Sequence, residues 1–504
     1  MKTLEKRRIE FIFVVLIIAS LYMIFFTQVD FWWKVGFWAV YVIIMATTIF
    51  SLMLENRTSH HTLLWMYVLI FIPVLGYIFY LYSGQLYLKG YLFQNKRKHD
   101  REALEKMSKK THHPSLSNLN HHQQQFSDYA QRAALTTMNT CTKTRILKNG
   151  DETFGEIKKQ LKAAKTYIHM EYYTFRSDEL GTSIIDLLIE KAQEGVQVRF
   201  IFDAGGSITL AGADVERMKE AGINVYPFLP MKYGFFNQKF NFRNHRKIIV
   251  IDGEIGFVGG LNVGDEYLGR SEKFGFWRDT HMMLEGEAVQ TLHAVFLLDW
   301  AYVSEEFLLE DKNFTKNCEV DEKGFVHIVA SGPDTQEDII SDLYYTMMSC
   351  ATKSIWIATP YFVPDTVIRT ALRVAAKKGV QVRLMVPEIN DGFLTQYGTR
   401  SYFPELLRYG VEIYCYQKGF THQKVMIIDG DIASVGTANM DIRSFHLNFE
   451  VNAFLMETDS IKDLIQHYED DLKDSVRVSP VQFYKRSVFE RAKESFARLF
   501  SGIL

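Results

Sequence analysis

Three uncharged apolar runs open the chain, and strand-like and helix-like patterns alternate through the remainder. The runs cover residues 11 to 26, 35 to 54 and 63 to 82, and each approaches the ~20 residues that cross a bilayer as a helix. Trp32, Trp33, Tyr80 and Tyr82 stand at their margins, where the membrane interface favours aromatic rings. A cleaved signal peptide does not account for the pattern, because two apolar runs follow the first and no small-residue cleavage site is evident. The pattern predicts a multi-pass membrane anchor over 1–98 with two or three transmembrane or interfacial helices.

Charge constrains the topology. Lys6, Arg7 and Arg8 favour a cytoplasmic N-terminus, and Lys89, Lys96, Arg97, Lys98 and Arg101 favour the same side for the segment after the third run. Three full spans would separate those ends, so one run is expected to re-enter or lie in the interface. The third is the candidate, because Pro73 and Gly76 weaken a straight helix. The catalytic region that follows is then expected on the cytoplasmic side.

Residues 99–137 are polar and rich in His, Gln, Ser and Lys, as in a linker. Neither His112-His113 nor His121-His122 has a carboxylate or Cys at ligand spacing, so both read as solvated. From about 140 the sequence repeats. Gly195-Val196-Gln197-Val198-Arg199 recurs as Gly379-Val380-Gln381-Val382-Arg383, and Lys165 and Lys353, like Gly222 and Gly410, stand 188 residues apart. That period is too long for a solenoid and predicts a duplicated α/β domain, with halves at 138–312 and 313–485. Over 486–504, Phe489, Phe496, Leu499, Phe500 and Ile503 recur near helical spacing among basic residues. Such an amphipathic helix suits either core docking or a membrane surface.

With 504 residues, 47% of them hydrophobic, the chain can build a large core. A net charge of -2 supplies no basic footprint for nucleic acid. Cys141, Cys318, Cys350 and Cys415 have no paired spacing, which indicates neither a zinc site nor a disulfide framework and fits a reducing compartment.

The candidate chemistry lies in a duplicated motif. His245, Lys247 and Asp252 recur as His422, Lys424 and Asp429, and Asn262 and Asn439 follow at equal distance. The first copy has Gly260 where the second has Thr437. Asp252-Gly253 and Asp429-Gly430 separate β-branched apolar runs, a strong hairpin signal. A two-residue turn would pair Ile251 with Glu254 and His245 with Gly260. That register puts His245, Lys247 and Asn262 on one face, and likewise His422, Lys424, Thr437 and Asn439. Asp252 and Asp429 fall at the turn and are expected to hold the hairpin or a partner side chain. One His can attack phosphorus while the other protonates the leaving alkoxide. The Lys and Asn side chains, with Thr437, can hold the phosphate oxygens where charge develops. Asp279 is the candidate to orient His245, and Glu450 to orient His422, with surface salt bridging as the alternative for both.

These residues resemble the duplicated HKD motif of the phospholipase D superfamily over about 140 to 480. Trp277-Arg278-Asp279-Thr280-His281, Pro360-Tyr361-Phe362-Val363-Pro364 and Phe445-His446-Leu447-Asn448-Phe449-Glu450, with the apolar runs, resemble the bacterial cardiolipin synthases within it. The resemblance implies two α/β/α halves about a pseudo-two-fold axis, preceded by transmembrane helices, with both motifs in one active site. It implies no metal or other cofactor, and a phosphohistidine intermediate with His245 as nucleophile and His422 as acid and base. It further implies phosphatidyl transfer between two phosphatidylglycerol molecules in the cell membrane. A hydrolase of the same superfamily, with water as acceptor, is the alternative.

Overall fold

The computed structural model describes residues 2–54, 59–80, 92–110, 119–230, 239, 241–309, 324–335 and 338–502. Tyr82, Lys89, His112-His113, Cys318 and Ile503 lie outside the described residues. The chain divides into two compact units, Met1–Leu92 with Tyr233–Asn241, and Phe93–Lys232 with Phe242–Leu504.

The first unit contains α1 (Lys2–Phe26), α2 (Phe31–Leu54), α3 (Ser59–Phe71) and α4 (Pro73–Phe79). Ile17, Ile44, Met45, Leu52, Leu69, Tyr77 and Tyr80 form its buried cluster. Among the described residues, α2 is the one helix both long and apolar enough to cross a membrane. The apolar part of α1 is shorter, and so is that of α3. The third apolar run is broken, as Pro73 suggested. Ile72 leaves helical geometry at φ -131° and ψ 63°, and Pro73 opens α4, where its missing N–H costs no hydrogen bond.

The second unit holds two sheets of matching design. Strands β1 (Thr142–Lys148), β2 (Tyr167–Tyr172), β3 (Gln197–Asp203), β4 (Asn224–Phe228), β5 (Lys247–Ile251), β6 (Ile255–Gly259) and β7 (Thr280–Gly286) assemble in the order β1-β7-β6-β5-β2-β3-β4. Strands β8 (Phe325–Ser331), β9 (Ser354–Ala358), β10 (Gln381–Pro387), β11 (Glu412–Tyr416), β12 (Val425–Ile428), β13 (Ile432–Gly436) and β14 (Asn448–Met456) repeat it as β8-β14-β13-β12-β9-β10-β11, with β15 (Ser475–Arg477) added at the edge. In the first half, helices Asn149–Ala163 and Glu179–Gln193 pack Phe154, Ile157, Ile184 and Leu188 onto Ile249, Ile251 and Phe257. The long helix Glu287–Ser304 packs against β5 and β6 as well, and Leu292 and Val289 lie beside Gly256. The halves meet where β6 and β7 approach β13 and β14.

Two helices precede the repeat in this unit, α5 (Gln94–Lys110) and α6 (His121–Ala134). The latter corrects the expectation of a bare linker over 99–137. Asn120 and Gln123 form a reciprocal capping box, and Phe126, Ala130 and Ala134, four residues apart, enter the core of the second half. The boundary expected at 98 falls inside α5.

Both hairpin turns follow one plan, and it differs from the expected register. Asp252 and Gly253 take positive φ (53° and 70°), as do Asp429 and Gly430 (53° and 78°). The ladder resumes one residue late, pairing Ile251 with Ile255 and Ile428 with Ile432. Each turn Asp grips the start of the neighbouring strand. Asp252 accepts from Lys165 N–H (2.8 Å), Thr166 N–H (2.7 Å), Tyr167 N–H (2.9 Å) and the Thr166 hydroxyl (2.5 Å). Asp429 does the same for Thr352, Lys353 and Ser354, each at 2.7 Å. These bonds hold both carboxyls below the ordinary carboxylate range, against the opposing effect of burial.

Replacing either Asp by Ala strands those N–H groups. Asp252→Ala and Asp429→Ala should each lower unfolding free energy by about 2–3 kcal/mol. Amide exchange should quicken at Thr166 and Tyr167 in one variant and at Lys353 and Ser354 in the other. Unchanged denaturation curves and exchange rates would refute this role.

Candidate active site

Two short parallel ladders between the halves position the histidines. Arg243–Asn244 adds to β14, with Arg243 opposite Asn448 and Asn244 opposite Phe449. The next residue, His245, donates its N–H to the Phe449 carbonyl at 2.9 Å. In the other half Gly419–Thr421 runs beside Phe276–Arg278, and His422 N–H donates to the Arg278 carbonyl at 2.7 Å. Each ladder ends with a histidine beside the other half's carboxylate. His245 Nδ1 lies 3.0 Å from Glu450 Oε2, and His422 Nδ1 lies 2.7 Å from Asp279 Oδ2.

The pairing is therefore the reverse of the expected one. Placing each carboxylate with the histidine of its own half ignored the strand exchange, which short-range spacing does not encode. Because a carboxylate only accepts, Nδ1 carries the proton in the His245 ring and its Nε2 keeps a lone pair; His422 Nδ1 lies beside both Asp279 and Lys424 Nζ, the latter at 3.0 Å.

The two carboxylates are held differently. Glu450 accepts from the Thr437 hydroxyl (2.5 Å) and from Asn448 Nδ2 (3.3 Å). Asp279 accepts from Thr280 N–H (2.8 Å) and Trp277 Nε1 (3.4 Å). The sequence difference at Gly260 now has a cause, since a Cβ there would lie 2.1 Å from Asp279 Oδ1. Thr437, expected on the phosphate, instead gives its hydroxyl to Glu450. Asn262 also differs from expectation. Its Oδ1 accepts from Thr174 N–H (3.1 Å) and its Nδ2 donates to the Tyr267 hydroxyl (3.2 Å), and it lies beyond β6 rather than on the hairpin face. Asn439 is buried, and its Oδ1 has no hydrogen-bond partner among the described residues.

Lys247 Nζ donates to the His245 carbonyl (2.8 Å), and Lys424 Nζ to the His422 carbonyl (2.5 Å). The Tyr173 ring meets His245 edge-on at 4.8 Å, and Trp277 meets His422 at 5.2 Å. His245 is 7% exposed, His422 6%, Lys424 2% and Lys247 not at all. Burial of four basic groups is costly, and it shows in their protonation. Burial depresses His245 to about 4 despite Glu450, with Lys247 and Lys424 adding to the fall. His422 is depressed to about 3 by burial and by Lys424, against Asp279. Burial also takes Lys247 to about 7 and Lys424 to about 8, opposed by the buried carboxylates. Each motif's lysine thus acts on the other motif's histidine, which makes the pair one electrostatic site. A bound phosphate would relieve it, since an anion favours every protonated form present.

Behind His245 lies a buried charge network that short-range patterns do not reveal. Arg246 donates through Nε to the Glu450 carbonyl (3.1 Å) and through Nη2 to the Ser331 carbonyl (3.2 Å), and it pairs with Asp299. Lys96, from α5, is buried against Asp299 (3.0 Å), Asp334 (2.8 Å) and Asp100 (2.5 Å). Those carboxylates outweigh burial and raise Lys96 well above its ordinary value. Behind His422 the cation comes from another position. Arg278 holds Asp471 at 2.8 Å, and Gln423 Nε2 donates to the same Asp471 at 2.9 Å.

A family model described as cardiolipin synthase, PLD-like domain, matches residues 157–300 and 344–473. The chain belongs to the cardiolipin synthase family of phospholipase D-like proteins. It is 57% identical to a probable cardiolipin synthase, YwiE, of Bacillus subtilis (strain 168), over 99% of this chain and 100% of that protein. It is 49% identical to cardiolipin synthase 2 of Bacillus anthracis, over 90% of this chain and 88% of the relative. Among solved structures, phosphatidylserine synthase of Haemophilus influenzae Rd KW20 superposes with a TM-score of 0.57 at 14% identity. That match covers 76% of this chain and all of the other, and shows a shared fold. The duplicated α/β architecture and the family membership expected from the motif both stand.

Protonation gives this family member a testable signature. The folded values for Lys247 and Lys424 lie below the ~10.4 of a free lysine, so the unfolded chain binds more protons between about pH 7 and 10. Deprotonation over that window should therefore stabilise the fold while weakening anion binding. Raising the pH from 7 to 9 should raise the Lys247 and Lys424 contribution to stability, read as the difference in Tm shift between the native chain and a Lys247→Met/Lys424→Met variant. The inhibition constant of inorganic phosphate should rise over the same range. A phosphate affinity that stays constant to pH 9 would contradict the depressed lysines.

Proposed function

We propose that the chain transfers a phosphatidyl group from one phosphatidylglycerol to another, giving cardiolipin and glycerol. The observation that carries this reading is the pair of cross-held imidazoles with two buried lysines, each acting on the other motif's histidine. His245 Nε2 attacks phosphorus as the bond to the glycerol oxygen breaks, and His422, protonated at both nitrogens once the phosphate anion is bound, gives that oxygen its Nε2 proton. His422 then takes the proton from a hydroxyl of the second phosphatidylglycerol, whose oxygen attacks phosphorus and breaks the N–P bond. Lys247, Lys424 and Asn439 hold the non-bridging oxygens. Glu450 and Asp279 are positioning residues, and Asp252 and Asp429 serve the fold.

Assignment of His245 as nucleophile rests on the family resemblance. The membrane reading rests on α2 and on the apolar α1 and α3; a multi-pass anchor with a cytoplasmic active site fits the basic residues flanking it. Phosphatidylglycerol is the lipid partner proposed.

Incubating the purified full chain with radiolabelled phosphatidylglycerol should give cardiolipin and glycerol, with a covalent adduct, trapped by detergent denaturation at alkaline pH, absent in His245→Ala and retained in His422→Ala. Phosphatidic acid as the main product would instead identify a hydrolase. An adduct lost only in His422→Ala would exchange the two roles.

A further inference from the structure

The helix at the end of the described chain is docked with its polar side inward. This helix, α8 (Val488–Arg498), packs on α7 (Phe393–Arg400). Lys493 Nζ of α8 donates to the Tyr397 hydroxyl (3.2 Å), and Arg498 reaches the Ser401 carbonyl (3.2 Å). Glu494 is buried against Arg486 at 2.7 Å. At 3.6 residues per turn, Glu490, Lys493, Glu494, Ala497 and Arg498 share this docked side. The opposite side carries Val488, Phe489, Phe496 and Leu499, exposed by 69%, 80%, 52% and 73%.

A soluble surface helix buries its apolar stripe and shows its polar one. In α8 that order is inverted, and a contiguous exposed apolar stripe marks an interaction surface. Lys485 and Arg491 are exposed beside it, whereas Arg486, Lys493 and Arg498 are engaged on the docked side. The stripe also has neighbours toward the active site. Phe393, half exposed at the start of α7, packs on the Tyr397 ring at 4.7 Å, and Ile389 is 77% exposed just before it. Between them Asp391 accepts from the Tyr361 hydroxyl at 2.5 Å, and its charge favours the protonated form of Lys424.

We propose that α8, together with Ile389 and Phe393, lies in the headgroup and acyl boundary of an anionic bilayer and seats this side of the active site on the membrane. Apolar burial supplies the contact, and Lys485 and Arg491 select anionic lipid. The identity of the lipid substrate rests on the preceding section; the contact itself does not.

Photocrosslinking reads the contact without reference to activity. The full chain, carrying p-benzoylphenylalanine in place of Phe489, is reconstituted in vesicles of phosphatidylethanolamine and phosphatidylglycerol and irradiated. Adducts to lipid are expected at Phe489 and at Leu499, and not at Lys473, an exposed polar position. Crosslinks to a second copy of the chain, or no adduct at all, would overturn the proposal. A triple variant, Phe489→Ser, Phe496→Ser and Leu499→Ser, should lose at least about tenfold in turnover of bilayer phosphatidylglycerol, while turnover of a short-chain, monomeric phosphatidylglycerol is retained. Equal loss on both substrates, or on neither, would also overturn it. Lipid adducts on a chain that makes no cardiolipin would uphold the contact and sink the proposed reaction instead.

Discussion

Two imidazole–carboxylate hydrogen bonds, each crossing from one half to the other, set the geometry on which the site depends. Neither half contains a complete histidine centre. His245 is aligned by Glu450 because Arg243–Asn244 pairs with β14, and His422 is aligned by Asp279 because Gly419–Thr421 pairs with Phe276–Arg278. The same exchange leaves His245 Nε2 with its lone pair. A duplicated fold thereby becomes one catalytic unit, because separating the halves would remove the partner of each ring.

Keeping four basic groups buried requires compensation from the surroundings. Glu450 and Asp279 remain charged because the histidines, the lysines and fixed donors outweigh their burial. Farther out, Arg246 and Lys96 share Asp299 on one side, while Arg278 holds Asp471 on the other. Losing one member of such a buried group costs more than the pair is worth, since its partner stays buried and unmatched. These networks therefore fix the backbone at Glu450 and Asp279 as much as they stabilise the fold. Their asymmetry, with Thr437 against Gly260 and Lys96 drawn from α5, gives two nearly equivalent histidines different surroundings.

Periodicity and spacing made much of this legible. The repeated strand and helix patterns, the Asp-Gly turns and the duplicated His, Lys and Asn positions are local features, and the turn role of Asp252 and Asp429 followed from their odd distance from each His. What escaped was non-local. The reversed carboxylate pairing depends on strands contributed by opposite halves, and Lys96 joins Asp299 and Asp334 from distant segments. The hairpin register was missed by one residue, because in an Asp-Gly turn with positive φ at both positions Glu254 N–H closes the turn on the Ile251 carbonyl and the ladder resumes at Ile255. The polar stretch holding α6 concealed Phe126, Ala130 and Ala134, whose spacing becomes meaningful once the core of the second half is seen.

The central claim is that each carboxylate governs the histidine of the other half. Nitrogen-15 NMR of the histidine-labelled full chain in lipid tests it directly. Glu450→Gln should shift the Nδ1 resonance of His245 and leave His422 in place, and Asp279→Asn should do the converse. A Glu450→Gln variant that moves His422 while His245 stays unchanged would contradict the crossed arrangement.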